Sequence, residues 1–445
     1  MSKENLSEID RKYVFGTWRF QEGYLPKLIV EAEECYFIDS EGKKYLDFSS
    51  QLMCNNLGVK NESVVRAMEA QARRVSYIAP GFATESRATV GKLLAEITPP
   101  GLVKSFFSTS GTEANEAAIK ISRLYTGGYK IISRYRSYHG STTGSRSLTG
   151  DPRRFCIEPA GRIQGIIHAP DAYCYRCPLK HEYPDCGVAC ADYVDYIIRM
   201  EDKDMVAAVF VEPIVGSNGI IVPPDEYLPR LREITEETNT LLVVDEVMTG
   251  FGRTGEWFAV NHWNVVPDII TVAKGLTGAH VPFGATIVSK DIANYFEDRY
   301  FCVGHTFSGH PLGAAAAVAA IEEYRKRRLI ENARRVGKAL GRRLEEVKGD
   351  HRSIGDVRGK GLFWGIELTR DRETKEPFST REDKLSKRRT VLHQITSEAL
   401  KRGLYLVNIL NTLIIAPPLM ITQREVEEGV NTLDEVLKIA DKEAR

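Results

Sequence analysis

The chain has 445 residues, 43% of them hydrophobic, enough for a large buried core and more than one core usually holds, so two domains are expected. Lysine plus arginine and aspartate plus glutamate number 60 each, a balance that removes any electrostatic case for a nucleic-acid partner or an anionic membrane surface. The N-terminal MSKENLSEIDRKY is charged, no apolar run reaches bilayer length, and eight cysteines in so long a chain do not make a secreted disulfide framework; cytoplasmic residence is the expectation.

Residues before about Ile38 read as an N-terminal arm, with an aromatic and cationic patch at Gly16-Thr17-Trp18-Arg19-Phe20. LIVEAEECYFID (28–39) and YLDF (45–48) follow as strands around the turn Ser40-Glu41-Gly42. Amphipathic spacing predicts helices over 61–74 and 86–96, the second ending before the Pro99-Pro100-Gly101 break. In FFSTSGTEANEAAIK (106–120), Ser108, Thr109, Ser110, Gly111 and Thr112 precede strong helix formers. Free backbone N–H groups, the positive end of a helix dipole and side-chain hydroxyls converge there, which suits a phosphate; the same stretch also reads as an ordinary capped helix start.

A strand YKIISR (129–134) leads to Tyr138, His139 and Gly140, where His139 reads either as a polar contact or as a satisfied loop residue. Cys174, Cys177, Cys186 and Cys190 have a spacing that could close a zinc or iron-sulfur site. The last two lie near the start of a helix predicted over 189–200, which weakens that reading, and no metal is expected in the chemistry. VAAVFVE (206–212) is a buried strand ending in Glu212, and a helix over 225–237 feeds the next strand. That strand, LLVV (241–244), is apolar throughout, as in a parallel sheet covered on both faces, and delivers Asp245 and Glu246 to the sheet edge. After a glycine-rich turn, IITVA (269–273) brings Lys274 and then Gly275 to the same edge. Ligand crevices of open α/β sheets lie at that edge, so Asp245 and Lys274 meet if their strands are neighbours.

Alternating strands and helices across 105–292 predict a doubly wound sheet. Beyond it come a loop over 299–311, an alanine-rich helix over 312–326, a strand with a glycine-rich entrance over 354–368 and a helix over 387–402. Short strands LYLV (404–407) and LIIA (413–416) precede a last helix from Gln423. The expected division is 1–60 for the arm and part of a small domain, 61–325 for the large domain, and 326–445 for the rest of the small one. An amine that can hold an aldehyde as a Schiff base, a carboxylate that can keep a pyridine nitrogen protonated, and a phosphate turn point together to pyridoxal phosphate. Taken singly, Asp-Glu at a strand end is often a cap or solvated loop, and Lys-Gly is often only a turn.

STSGTEANEAAIK (108–120), DEVMTGFGRTG (245–255), AKGL (273–276), HTFSGHPLGAAAA (305–317) and APPLMIT (416–422) resemble the successive signatures of the class III, omega-amino acid type, pyridoxal-phosphate-dependent aminotransferases. The resemblance spans nearly the whole chain. It implies fold type I: an α/β protein with a large doubly wound, mostly parallel sheet domain and a smaller α+β domain built from N- and C-terminal segments. It also implies a homodimer with shared active sites, a tetramer remaining open. Lys274 then carries the cofactor, Asp245 protonates its ring nitrogen, Tyr138 and Val247 take opposite ring faces, and Glu212 belongs to the site wall. Ser110, Gly111 and Thr112, with Thr306 of the partner subunit, hold the phosphate.

Trp18 and Phe20 with Leu52 and Met53 are the expected substrate pocket. Met248 stands where the family has glutamine, which removes a hydrogen bond near the ring hydroxyl. Family members that take both an omega-amine and a dicarboxylic oxo acid commonly carry a mobile arginine before APPL, whereas LYLVNILNTL (404–413) has none. Asn408 or Asn411 offers only a neutral donor, and Arg19, Arg136 or Arg146 could replace the arginine from elsewhere. The reading is an omega-amino acid or amine donor, taurine-like donors included, and a 2-oxo acid acceptor, pyruvate first. The competing readings are a phospho-lyase, racemase or decarboxylase on the same cofactor, and a metal-stabilised binding protein built on the Cys174–Cys190 cluster.

Overall fold

The computed structural model describes residues 3–156 and 158–445. Its central sheet has seven strands in the spatial order Leu102–Ser108, Gly284–Ser289, Ile269–Val272, Leu241–Asp245, Val206–Val211, Lys130–Arg134, Ile166–Ala169. From Ile269–Val272 to Ile166–Ala169 every pairing is parallel, and Gly284–Ser289 runs antiparallel to both of its neighbours. Val206–Val211, Leu241–Asp245 and Ile269–Val272 are buried at every position, as their unbroken apolar runs require of a sheet covered on both faces. Alternate residues serve opposite faces: Leu242 and Val244 join one buried cluster, Leu241 and Val243 the other. Asp245 pairs with Thr271, so the strand end that carries the acid lies beside the one that leads to Lys274.

Two smaller sheets flank this one. Ile29–Glu33, Tyr36–Asp39 and Lys44–Asp47 form a meander whose last strand pairs in parallel with Leu404–Tyr405, so N- and C-terminal segments share one sheet. Ile354–Lys360, Phe363–Asp371, Thr412–Ile415 and Val407–Ile409 form the other, with Glu376–Pro377 against Phe363–Asp371. The long strand expected over 28–39 is a hairpin, broken where Glu34 takes φ 45°. The single strand expected over 354–368 is likewise two, turning at Gly361 (φ 58°), where a Cβ would lie 2.2 Å from the Thr254 carbonyl carbon. The helix expected from 387 starts at Val391, capped by Thr390. Helices Lys3–Tyr13 and Leu329–Asp350 were not anticipated. Among the described residues no helix is long and apolar enough to cross a membrane.

Candidate active site

At the carboxyl ends of the parallel strands opens a cavity of about 880 Å³ that Asp245 and Lys274 both line. Asp245 is 4% exposed, so its carboxylate oxygens must find donors inside the protein. Asn115 Nδ2 donates to Oδ2 at 2.7 Å, His139 Nδ1 lies 2.8 Å from the same atom, and the Val247 amide donates to Oδ1 at 3.0 Å. The Thr271 hydroxyl donates to Asn115 Oδ1 at 2.7 Å and fixes which end of that amide faces the acid.

Lys274 follows the strand at φ 42°, a left-handed conformation that costs a residue other than glycine of order 1–3 kcal/mol and is kept only where the surroundings impose it. Burial pushes its amine below the usual lysine range, opposed by the fields of Cys54, Asp245 and Glu212. Burial also raises the Glu212 carboxyl, with Asp245 adding to the rise, while the amides of Tyr138 (3.0 Å) and Gly216 (2.8 Å) and the neighbouring His139 work against it.

Gly111 opens the helix Gly111–Thr126, which Ser110 caps by accepting from the Glu113 amide at 3.2 Å. A Cβ on Gly111 would lie 2.7 Å from both Val247 methyls, so only glycine lets this turn come so close to the strand end. No protein acceptor takes the Gly111 and Thr112 amides among the described residues, and both residues line the cavity. A helix N-terminus with two free donors, a buried acid already held in place and a half-buried lysine suit pyridoxal phosphate: the amides would hold its phosphate, and Asp245 and Lys274 would serve its ring nitrogen and its aldehyde.

Trp18, Leu52, Met53, Ser110, Tyr138, Glu212 and Val247 line the same cavity. Phe20 does not: a turn at Trp18 (φ 56°) separates the two aromatics, and Phe20 is 45% exposed beside the Lys387 amine. Thr306 is exposed and lies off its own chain's cavity, its carbonyl accepting from the Tyr77 hydroxyl at 3.1 Å. Arg19 lines the cavity, with its guanidinium 4.2 Å from the Tyr24 ring centroid. Arg136 lines a separate cavity of about 190 Å³ beside Tyr173, and Arg146 lines neither. Asn408 lines the main cavity, whereas Asn411 spends both ends of its amide on the Ser379 backbone, at 2.6 Å each.

Asn115, Cys54 and Arg153, which sequence reasoning does not single out, also line the cavity, as does His139. Only the tertiary fold brings them in; Asn115, one helical turn past Gly111, was the one within reach of sequence reasoning. Among the described residues no group of three or more His, Cys, Asp or Glu is arranged to hold a metal ion.

The family model for aminotransferase class-III matches residues 20–437. Among curated relatives, a leucine/methionine racemase of Thermococcus litoralis is 38% identical over 420 residues, 93% of this chain and 91% of its own. A taurine–pyruvate aminotransferase of Bilophila wadsworthia is 35% identical over 450 residues, 97% of this chain and 96% of its own. Among solved structures, a taurine:2-oxoglutarate aminotransferase of Bifidobacterium kashiwanohense, in complex with pyridoxal phosphate and glutamate, superposes with a TM-score of 0.94 at 35% identity, covering 99% of each chain. The chain thus belongs to the class III aminotransferases, pyridoxal-phosphate-dependent transaminases of fold type I.

Proposed function

We propose that the enzyme moves an amino group from an omega-amino acid or amine, taurine-like donors among them, to a 2-oxo acid, with pyruvate the preferred acceptor. The cavity wall at 405–409 carries this reading, because Tyr405, Leu406, Val407, Asn408 and Ile409 offer no charge. A dicarboxylic acceptor would find no cation on that wall itself for its second carboxylate, the arginines of the cavity, Arg19 and Arg153, coming from other elements. The names of the relatives support taurine-like donors and divide between pyruvate and 2-oxoglutarate as acceptor, so the choice of acceptor rests on the wall.

In this reading Lys274 anchors the cofactor and relays the proton at the substrate carbon, helped by a burial that pushes its amine below the usual lysine range. Asp245, positioned by His139 and Asn115, holds the proton on the ring nitrogen. Tyr138 and Val247 confine the ring, Glu212 closes the wall, and Ser110, Gly111 and Thr112 with Thr306 of the partner subunit take the phosphate. When bound, the cofactor supplies the electron sink that stabilises negative charge at the reacting carbon. A cytoplasmic homodimer, divided at about residues 60 and 325, belongs to the same proposal.

The test is kcat/KM for pyruvate and for 2-oxoglutarate with one amine donor, alongside Lys274→Ala, which should lose activity with both. A clear preference for 2-oxoglutarate overturns the acceptor assignment. The 38% identity to a racemase favours one second reading, which interconversion of D- and L-leucine in the absence of any oxo acid would establish.

A further inference from the structure

Arg136 and Arg176 line the smaller cavity of about 190 Å³, which adjoins that of Lys274 at Ile409, a residue common to both. Tyr173 carries two guanidiniums there, Arg136 at 4.9 Å and Arg358 at 5.0 Å from its ring centroid. Glu367 is the acid of this cavity, and it is already spent: the Tyr173 hydroxyl, Arg176 Nε at 2.5 Å and Arg358 Nη2 at 2.8 Å all donate to it. Arg358 is further taken by Asp356 Oδ2 at 2.7 Å. The other two arginines keep donors in reserve. Arg176 gives Nη1 to the Lys375 carbonyl at 2.6 Å, but its Nη2 is buried with no partner among the described residues. Arg136 is half-buried and gives its backbone amide to Asp171 at 3.0 Å, while no described residue accepts from its guanidinium. Ser379, in the same lining, has its backbone fixed by the Asn411 amide at 2.6 Å on each side, and its hydroxyl, too, meets no partner among the described residues.

We propose that this cavity is a second, non-catalytic site that takes a small oxoanion, a phosphate or sulfate group, which accepts from Arg136, Arg176 and Ser379. A buried guanidinium N–H without an acceptor is costly, and a second guanidinium facing the same space with no acid of its own leaves positive charge unbalanced. An oxoanion answers both, because it brings charge and several acceptor lone pairs to planar donors that suit it. The volume is about six waters' share of liquid and falls below the roughly 300 Å³ of pockets that enclose drug-sized ligands, so the occupant is an ion or the end group of a larger molecule. Arg136 follows the central-sheet strand Lys130–Arg134, and Arg176 closes the 3-10 turn Cys174–Arg176. Ser379 follows Glu376–Pro377, which pairs with the C-terminal strand Phe363–Asp371. The anion therefore ties the central sheet to the C-terminal one, and a ligand held only by the folded chain stabilises it by mass action.

Because Arg136 serves no described acceptor, Arg136→Gln strands no acid, and it is compared with Arg136→Lys, Ser379→Ala and the wild type. Each is used as the holoenzyme, so that bound cofactor already fills the phosphate turn at Gly111, and its loading is checked by visible absorbance. Inorganic phosphate, sulfate and methyl phosphate are titrated by calorimetry and in melting curves, with sodium chloride holding the ionic strength constant. Phosphate and sulfate stabilise any fold to some degree by exclusion from its surface, so the readout is a saturable effect that differs between wild type and variant. Loss of a charge-assisted contact predicts binding at least about tenfold weaker in Arg136→Gln, and a smaller loss in Arg136→Lys and Ser379→Ala, with cofactor absorbance unchanged in all. Methyl phosphate bound as tightly as inorganic phosphate marks the end of a larger ester as the occupant; exclusion of the ester marks the free ion, and either result supports the site. The absence of saturable anion binding in the wild type, or the same affinity in Arg136→Gln and Ser379→Ala as in the wild type, overturns the inference. So does an Arg136→Gln melting temperature lowered equally with and without anion, which assigns the guanidinium to packing on Tyr173 alone.

Discussion

His139 Nδ1 lies 2.8 Å from Asp245 Oδ2, and neither side chain has an appreciable solvent surface from which the other could be replaced. Asn115 meets the same oxygen, so two side chains from separate elements fix one carboxylate at a strand end. Among the described residues the other ring nitrogen, His139 Nε2, is buried without a partner. The ring is wedged edge-on against Phe210, 5.9 Å between centroids, so it cannot swing away to satisfy Nε2 elsewhere.

That arrangement makes His139 a positioning residue. His139→Ala removes one of the donors on a buried carboxylate, a contact of about 1.5–3 kcal/mol, and kcat should fall about 10- to 100-fold with weaker cofactor retention. Activity assays and a cofactor titration followed by visible absorbance check this. A variant with full kcat and unchanged affinity would show that Asn115 and the Val247 amide suffice.

Glu246, next along the chain, gives a pH dependence of known sign. Burial pushes its carboxyl from the ordinary 4.5 up to about 7, against the opposing hydrogen bonds of Thr249 and Val260. Between those two values the folded chain keeps a proton that the unfolded chain has released, so this group's contribution is fully present below about pH 4.5 and is lost as pH rises toward 7. The loss amounts to up to about 3 kcal/mol. Glu246→Gln cannot titrate, so its melting temperature relative to wild type should rise between pH 5 and pH 8. Melting curves at the two pH values decide the matter; a constant difference means that Glu246 is ionised in the folded protein at both.

The parts of this site legible in the sequence are those where one short stretch carries its own structural reason. LLVV must end where its apolar run ends, and Asp245 is the next residue; IITVA likewise hands on to Lys274. Gly111 was legible as part of a helix start with free amides, although its contact with Val247 was not. Arg153 was not legible: it lies two residues past Asp151 in a short 3-10 turn, and only the tertiary fold brings that turn over Tyr138 and Trp18. Phe20 misled because aromatics two residues apart look alike in sequence, while a left-handed residue at Trp18 sends them to different environments. The helix Leu329–Asp350 carries a clear signal in Ile330, Ala333, Val336, Leu340, Leu344 and Val347, all of them buried on one stripe.

Thr306 offers the sharpest test of a shared active site. It is exposed, off its own cavity, and beside an exposed aromatic pair, Phe307 and Tyr77, whose ring centroids are 5.9 Å apart. Exposed aromatics grouped in this way are typical of a surface that a protein partner covers. Tyr77 bonds the Thr306 carbonyl, so Thr306→Ala keeps that contact and removes only a hydroxyl and a methyl. If that hydroxyl reaches the phosphate bound by a second copy, the variant should remain dimeric in sedimentation velocity while its cofactor dissociation constant rises about tenfold, the worth of one hydrogen bond to a charged group. Diluting the wild type below its dimer dissociation constant should release cofactor in step with the appearance of monomer. A wild type that sediments as a monomer with its cofactor fully bound would place the whole phosphate site, and Thr306's irrelevance to it, within one chain.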